Sequence, residues 1–439
     1  MQNYVIIKSK IKSYNKSIEV SSDKSLSIRS VLFASQAVGI SKIQNLLYSE
    51  DVRASLKAIK NLGIKFKKKK NYIEIYGKGL NGFKLNRNKT IDAGNSGTLG
   101  RLILGLLVKS KKKVRITGDK SLSRRDFSRI TDPLKLFGVS FKNKSSGLPL
   151  DVYGTDFPRP INYLENRGSA QCKSAVMLAA LNTPGVTKIK AAKSRDHTEK
   201  FFNFLKIPMK IKKEKYYDYI EVKGQKNFQG FNYTIPGDIS SAAFFIVLTL
   251  LTKNSKLIIK NVNINNSRIG IIKILNKMNA GIKIKNKRIY KGEEIGDILI
   301  KYKNNLRSIN CDKSLNSSAI DEFLVIFLVA AKAKGVSIFK NLSELNKKES
   351  PRLDVATKFL TMLGVKIKKE NNNIKIYGDT SLNLKGKYVI KNFLKDHRIF
   401  MMSCIAALSF GGWWKIHDKD SINTSFPKFL KIIKNLGAS

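Results

Sequence analysis

The residues able to do chemistry in this 439-residue chain gather in short polar motifs, each set just before or at the start of an apolar stretch. A helix N-terminus leaves backbone N–H groups unpaired and carries partial positive charge, so such places favour anions. The first motif is Ser21-Ser-Asp-Lys24-Ser25-Leu-Ser-Ile-Arg29. Asp23 can cap the helix, and Ser25 and Arg29, four apart, share one face beside Lys24. The second, Asp92-Ala-Gly94-Asn-Ser-Gly97-Thr-Leu-Gly-Arg101, has glycines that let backbone approach a ligand closely, but neither Walker nor dinucleotide spacing. The third, Gly118 to Arg129, holds Arg124, Arg125 and Arg129 in an otherwise Arg-poor chain. The guanidinium fork matches carboxylate and phosphate in a way Lys does not. Gly168-Ser169-Ala-Gln171 and Ser194-Arg-Asp-His197 complete the first half.

In the second half, Asp238 opens one apolar run and Asp321-Glu322 opens another, directly against Phe323. Lys347-Lys348-Glu349-Ser-Pro-Arg352 precedes an amphipathic run, and Asp396-His397-Arg398 opens the last apolar one. Taken singly, each motif reads as readily as a helix cap with solvated charge. Taken together they supply cations (Lys24, Arg29, Arg125, Lys348, Arg352, Arg398) from helix starts and two carboxylates, Asp321 and Glu349. That set suits a polyanionic substrate with proton transfer at its centre. No Cys–His or Ser–His pairing points to a covalent nucleophile.

The elements that must position these groups recur. Six segments are apolar nearly all round: Val31 to Val38, Leu102 to Val108, Ala175 to Leu181, Ala242 to Leu251, Phe323 to Ala331 and Met401 to Leu408. A helix without a polar face is buried. A short strand follows most of them, then an amphipathic helix, then a Lys-rich strand pair closing at Gly77, Gly154, Gly224 or Gly378. The period is roughly 70 to 85 residues, too long for a solenoid. The expected fold class is therefore α/β: repeated units with buried helices wrapped by sheet. The sixth copy, Phe429 to Gly437, lacks its strand pair.

Composition narrows the function classes. At 42% hydrophobic the chain can build large cores. Its longest apolar runs fall short of the roughly 18 residues that span a bilayer. A strand-like run, Tyr4 to Ile7, opens the chain where a secretory or transit segment would lie, which suggests a cytoplasmic protein. Three scattered Cys fit a reducing compartment, and three distant His argue against a His-based metal site. The net charge of +51 invites a nucleic-acid partner. Yet roughly a fifth of the basic residues are Arg, the usual base reader, and the Lys are spread evenly. They are most easily read as solvated faces, with no specific nucleic-acid partner.

The ordered motifs at 23–29, 92–98, 169–175, 194–199, 236–245, 320–323, 348–352 and 396–398 resemble those of the EPSP synthase (3-phosphoshikimate 1-carboxyvinyltransferase) family, of bacterial type, over essentially the whole chain. The resemblance implies an enolpyruvyl transferase-like fold of two domains, each of three units, joined by two chain crossings and closing over the ligands. By it, residues 1–20 with 236–439 form one discontinuous domain and residues 21–235 the other. It implies transfer of the enolpyruvyl group of phosphoenolpyruvate to the 5-hydroxyl of shikimate 3-phosphate through a tetrahedral intermediate, with no metal or organic cofactor and as a monomer. Lys24, Ser25, Arg29, Ser169, Gln171, Asp321 and Lys348 would hold shikimate 3-phosphate. Lys24, Gly97, Arg125, Gln171, Arg352 and Arg398 would hold phosphoenolpyruvate, and Asp321, Glu349 and Lys24 would be catalytic. Gly97 implies sensitivity to glyphosate. Departures from the family pattern are Ser21-Ser22 for Pro-Gly, Asp126 for Pro, Ala170 for Ser, Pro351 for Asp or Asn, and Thr424 for Lys. The rival readings are a UDP-N-acetylglucosamine enolpyruvyl transferase, which would usually carry a reactive Cys absent from 120–127, and a basic RNA-binding protein.

Overall fold

Six helices without a polar face organise the protein, and each needs a complete wrapping of other elements to keep water off it. They run Lys24–Gln36, Gly97–Leu106, Ala170–Leu181, Ile239–Leu251, Phe323–Lys332 and His397–Phe410. The computed structural model describes residues 2–85, 87–143 and 145–438. Most of these helices start several residues earlier than apolarity alone suggests, because their first turns are polar yet buried: Ser27, Arg29 and Ser30 are enclosed in the first of them. Burying one Phe such as Phe244 or Phe245 contributes about 1.5–3 kcal/mol, which offsets the cost of enclosing the polar turns.

The chain divides into two compact units, one of Met1–Ser21, Pro236–Ile289 and Glu294–Ser439, the other of Ser22–Ile235 with Tyr290–Glu293. Each unit has its own hydrophobic core and three of the buried helices. The four-residue segment Tyr290–Glu293 groups with the second unit because its side chains are engaged there. Glu293 Oε1 lies 2.7 Å from His197 Nδ1, and the Tyr290 ring sits 5.6 Å from that of Tyr233.

In the second unit a full repeat is a four-stranded sheet. Lys89–Asp92 pairs in parallel with Val114–Thr117 across the buried Gly97–Leu106 helix, and the hairpin Ser140–Asn143 and Leu150–Tyr153 adds the antiparallel half. Asn162–Glu165, Val186–Ala192, Tyr217–Lys223 and Met209–Lys213 repeat that order. The first repeat has no leading strand before its helix; Asn232–Thr234, from the end of the unit, pairs in parallel with Val38–Gln44 instead. The first unit does the same. Asn15–Ile18 leads the sheet of Lys256–Asn263, and Tyr4–Ile7 pairs antiparallel with Trp413–His417 where the sixth repeat lacks its strand pair.

The recurrent glycine that closes each strand pair has a steric cause. At Gly77, Gly224 and Gly378 an added Cβ would fall onto carbonyl oxygens at the end of the preceding buried helix: Ala34 and Ala37, Ala180 and Thr183, Ala330 and Ala333. Only Gly lets the strand pass that close.

Candidate active site

Most of the polar motifs occupy N-terminal helix ends, on the buried helices and on the shorter ones between them. In the second unit Asp23 Oδ1 caps the first helix by accepting from Leu26 N at 2.8 Å, which places Lys24 and Ser25 in its first turn. Lys24 Nζ pairs with Asp51 at 2.8 Å. Arg29 is buried and donates to Thr198 Oγ1 (3.0 Å), Ser174 Oγ (3.2 Å) and Ser25 O (3.3 Å). Its fork therefore ties the first helix to the Ala170–Leu181 helix that carries Gln171. Ser169 caps that helix through Cys172 N at 3.3 Å, and Ser169 N in turn donates to Glu165 at 2.9 Å. Burial raises the Glu165 carboxyl above the ordinary range, against the backbone N–H groups of Ser169, Arg167 and Gly168, which pull it down.

Gly97 is the first residue of its helix, capped by Ser96. A Cβ there would stand 2.9 Å from Arg125 Nη1 and 3.7 Å from Arg101 Nη1. Arg101 donates to Gln171 Oε1 by a short bond, and Gln171 Nε2 donates to Thr98 Oγ1 at 3.2 Å. Gly97, Arg101, Arg125 and Gln171 thus form one neighbourhood. Arg125 does not sit at a helix start, as its motif suggested. The helix Lys120–Ser123 is only four residues long, and Arg125 follows its C-cap, held toward Asn95 (3.4 Å) and Ser121 (3.5 Å). The departure Asp126 is turned away into local structure, accepting from Ser128 N (2.8 Å) and Oγ (2.6 Å) ahead of the next helix.

The first unit centres on Arg352, which opens the Arg352–Met362 helix and is fully enclosed. Its Nε and Nη2 grip Asp396 at 2.9 and 3.2 Å, Nη2 also meets Glu349 Oε2 at 2.5 Å, and Nη1 meets Asp321 Oδ1 at 3.3 Å. Burial alone would discharge it, but the carboxylates of Asp396, Glu349 and Asp321 hold it firmly protonated. Lys348 Nζ lies 3.3 Å from Asp321 Oδ1. Asp321 and Glu349 therefore share one guanidinium, with Lys348 on the Asp321 side. Asp396 also caps the last buried helix through Arg398 N at 3.0 Å and accepts from Ser350 Oγ at 2.8 Å. Arg398 Nη1 donates to Asp321 O at 2.8 Å and lies 3.9 Å from Glu322. The residue at the Lys departure, Thr424, hydrogen-bonds Ser421 O at 2.8 Å and lies 3.3 Å from His397 Nδ1. Among the described residues no group of three or more His, Cys, Asp or Glu is arranged to hold a metal, and no helix is long and apolar enough to cross a membrane.

Sequence reasoning assigned no role to several groups that organise these neighbourhoods. Arg101 stands four residues after Gly97, so its place on the Gly97 face was available from helical spacing. Asp396 stood inside a recognised motif. Asp51 and Thr198 are distant in sequence from what they touch, whereas Glu165 accepts from Arg167 N and Ser169 N, two and four residues on, and sat just outside the Gly168 motif.

Both halves of the geometry are N-terminal helix ends with paired charges on an α/β repeat. That fold is shared with an enolpyruvyl transferase, NikO from Streptomyces tendae, at a TM-score of 0.77, 13% identity and coverage of 100% of this chain and 98% of that one. The class defined is that of the enolpyruvyl transferase fold. Closer relatives narrow it. An EPSP synthase from Acinetobacter baumannii superposes with a TM-score of 0.85 at 33% identity, over 99% of this chain and 98% of its own. Proteins named 3-phosphoshikimate 1-carboxyvinyltransferase from Zymomonas mobilis and Bacillus cytotoxicus are 37% and 36% identical, over 96% and 97% of this chain and 94% and 98% of theirs. The family model for EPSP synthase (3-phosphoshikimate 1-carboxyvinyltransferase) matches residues 8–433, and the chain belongs to that family.

Proposed function

We propose that this protein transfers the enolpyruvyl group of phosphoenolpyruvate to the 5-hydroxyl of shikimate 3-phosphate, releasing phosphate. Family membership over residues 8–433 supports the reaction, and the observation that carries the assignment of residues is the sharing of Arg352 by Asp321 and Glu349. Adding the hydroxyl across the enol phosphate double bond needs one proton delivered to the methylene and one taken from the attacking oxygen; elimination then takes a proton back from the new methyl group as phosphate leaves. Two carboxylates fixed on one guanidinium are oriented for such work. Asp321 and Glu349 are assigned the proton transfers, with Lys24 beside them in the catalytic role. Lys24, Ser25, Arg29, Ser169, Gln171, Asp321 and Lys348 are assigned to shikimate 3-phosphate. Lys24, Gly97, Arg125, Gln171, Arg352 and Arg398 are assigned to phosphoenolpyruvate. The neighbourhood of Gly97, Arg101 and Arg125 in the second unit and of Arg352 and Arg398 in the first supports this division. Opposed charges need no metal in the scheme. The protein acts as a cytoplasmic monomer, and its positive charge serves no specific nucleic acid.

The test is phosphate release from phosphoenolpyruvate with purified protein. Release is expected with shikimate 3-phosphate and not with UDP-N-acetylglucosamine. Release with neither from a folded sample would overturn the reading and reopen that of a basic RNA-binding protein. Tight RNA binding that survives physiological salt would favour that second reading.

A further inference from the structure

The three buried helices of the first unit present their charged cluster at their N-terminal ends. Their other ends, Leu251, Lys332 and the Leu408–Ser409 turn, border a cavity of about 440 Å³. Four lysines line it, Lys10, Lys253, Lys303 and Lys332, and none of its lining residues is acidic. Helix C-termini carry partial negative charge, about half a unit each, so three of them offset roughly one and a half of those four positive charges. The lining itself keeps a net positive charge. Lys332 is half-buried, and its Nζ donates to Leu382 O at 2.6 Å. Burial and then the charge of Lys10 push its ammonium below the ordinary lysine range, with Asp379 acting the other way. Asp379 itself is engaged by Ser381 N and Oγ, at 2.8 and 2.6 Å. The hydroxyl of Ser409, also on the lining, is buried with no hydrogen-bond partner among the described residues.

In the second unit the corresponding helix ends are treated differently. There the ends of two buried helices are closed by neutral amides, with Asn182 Nδ2 3.5 Å from Gln36 Oε1 and Asn81 N donating to Asn182 Oδ1 at 3.0 Å.

We propose that the cavity at the C-terminal ends of the Ile239–Leu251, Phe323–Lys332 and His397–Phe410 helices is a binding site for a small organic or inorganic polyanion of the phosphate class. Lys10 and Lys332 hold its charge and Ser409 donates a hydrogen bond. It is separate from the residues assigned to catalysis and does not depend on that assignment.

The experiment titrates pyrophosphate into the full chain by calorimetry at fixed salt. Three proteins are compared: the natural sequence, a K10Q/K332Q variant, and a K67Q/K68Q variant that removes the same charge from an exposed strand of the second unit. About a tenfold or greater weakening in K10Q/K332Q is expected, with K67Q/K68Q within twofold of the natural sequence. Equal affinity for all three, or equal weakening in both variants, would overturn the site, since binding would then follow diffuse charge. Both variants are first shown to unfold at the same temperature as the natural chain; a Ser409→Ala variant, expected to bind severalfold more weakly, serves if K10Q/K332Q does not fold.

Discussion

The two units build the same repeat and charge it in opposite senses. At and beside the N-terminal helix ends of the second unit the clustered groups are mostly cations, Lys24, Arg29, Arg101 and Arg125, with Gln171 among them. At the equivalent ends of the first unit they are mostly carboxylates, Asp321, Glu322, Glu349 and Asp396, gathered round Arg352 and Arg398. The fold fixes where helix ends fall; it does not fix what they carry. One backbone plan can therefore carry a cationic cluster at its helix ends in one unit and an acidic one in the other.

That contrast can be broken most severely at Asp321. Asp321→Asn is expected to lower kcat by about a hundredfold or more, the usual worth of a general acid or base, while shikimate 3-phosphate binding stays within a few fold. Steady-state phosphate release with a separate binding titration checks it, and an active variant would remove Asp321 from the proton-transfer role. Next comes Asp396→Asn, which leaves Arg352 buried without its main partner. Breaking a buried pair from one side costs about 3–5 kcal/mol, so a clear fall in melting temperature and a large loss in kcat/KM for phosphoenolpyruvate are expected. Unchanged melting would mean that Glu349 and Asp321 suffice to hold the guanidinium.

In the second unit the effects should be smaller and confined to binding. Gly97→Ala sets a methyl group 2.9 Å from Arg125 Nη1, so the guanidinium must shift. The KM for phosphoenolpyruvate is expected to rise about tenfold, and glyphosate should inhibit the variant less than the parent chain. A KM unchanged for phosphoenolpyruvate but raised for shikimate 3-phosphate would reverse the assignment of that neighbourhood.

The smallest effect is on acid stability, and there the units diverge in sign. In the first unit burial tends to raise the Asp396 carboxyl, but the Arg352 charge and hydrogen bonds outweigh it and hold the group below its ordinary range. Its stabilisation is present above the unfolded value, about 3.9, and is lost as pH falls below that through the folded value. In the second unit burial wins over three backbone N–H groups, and Glu165 is held above its ordinary range. The native state then keeps a proton that the unfolded chain releases, so this group subtracts stability as pH rises from about 4.3 through the raised value. Melting curves from pH 3 to 7 should show Asp396→Asn losing the acid-side slope and Glu165→Gln losing the opposite one. Identical slopes in the two variants would contradict the difference.

Much of this was legible in the sequence, and the remainder was hidden for definable reasons. The buried helices announced themselves because no face of Ala242 to Leu251 or Phe323 to Ala331 is polar, and the cap at Asp23 followed from residue type. Apolarity alone places that helix start too late, because Arg29 and Ser30 look like surface residues; Thr198 and Ser174, far along the chain, help satisfy the buried Arg29. The leading strand Asn232–Thr234 is three residues long with a single buried side chain, Tyr233, too little for an alternation signal. Arg125 was misplaced because a four-residue helix, Lys120–Ser123, ends just before it. The fork on Asp396 escaped notice because its partner, Arg352, arrives from another repeat.

The pairing of Tyr4–Ile7 with Trp413–His417 has a consequence for how the protein is made. Residues 22–235 leave the ribosome as one continuous stretch and can fold as soon as they emerge, with only the tip at Tyr290–Glu293 to follow. The strand Tyr4–Ile7, by contrast, is synthesised about 400 residues ahead of the strand it pairs with. At about 5–20 residues per second that delay is roughly 20–80 s, during which an apolar strand has no partner. Its lysine neighbours, Lys8, Lys10 and Lys12, give the waiting segment the charged flank that discourages edge-to-edge association between nascent chains.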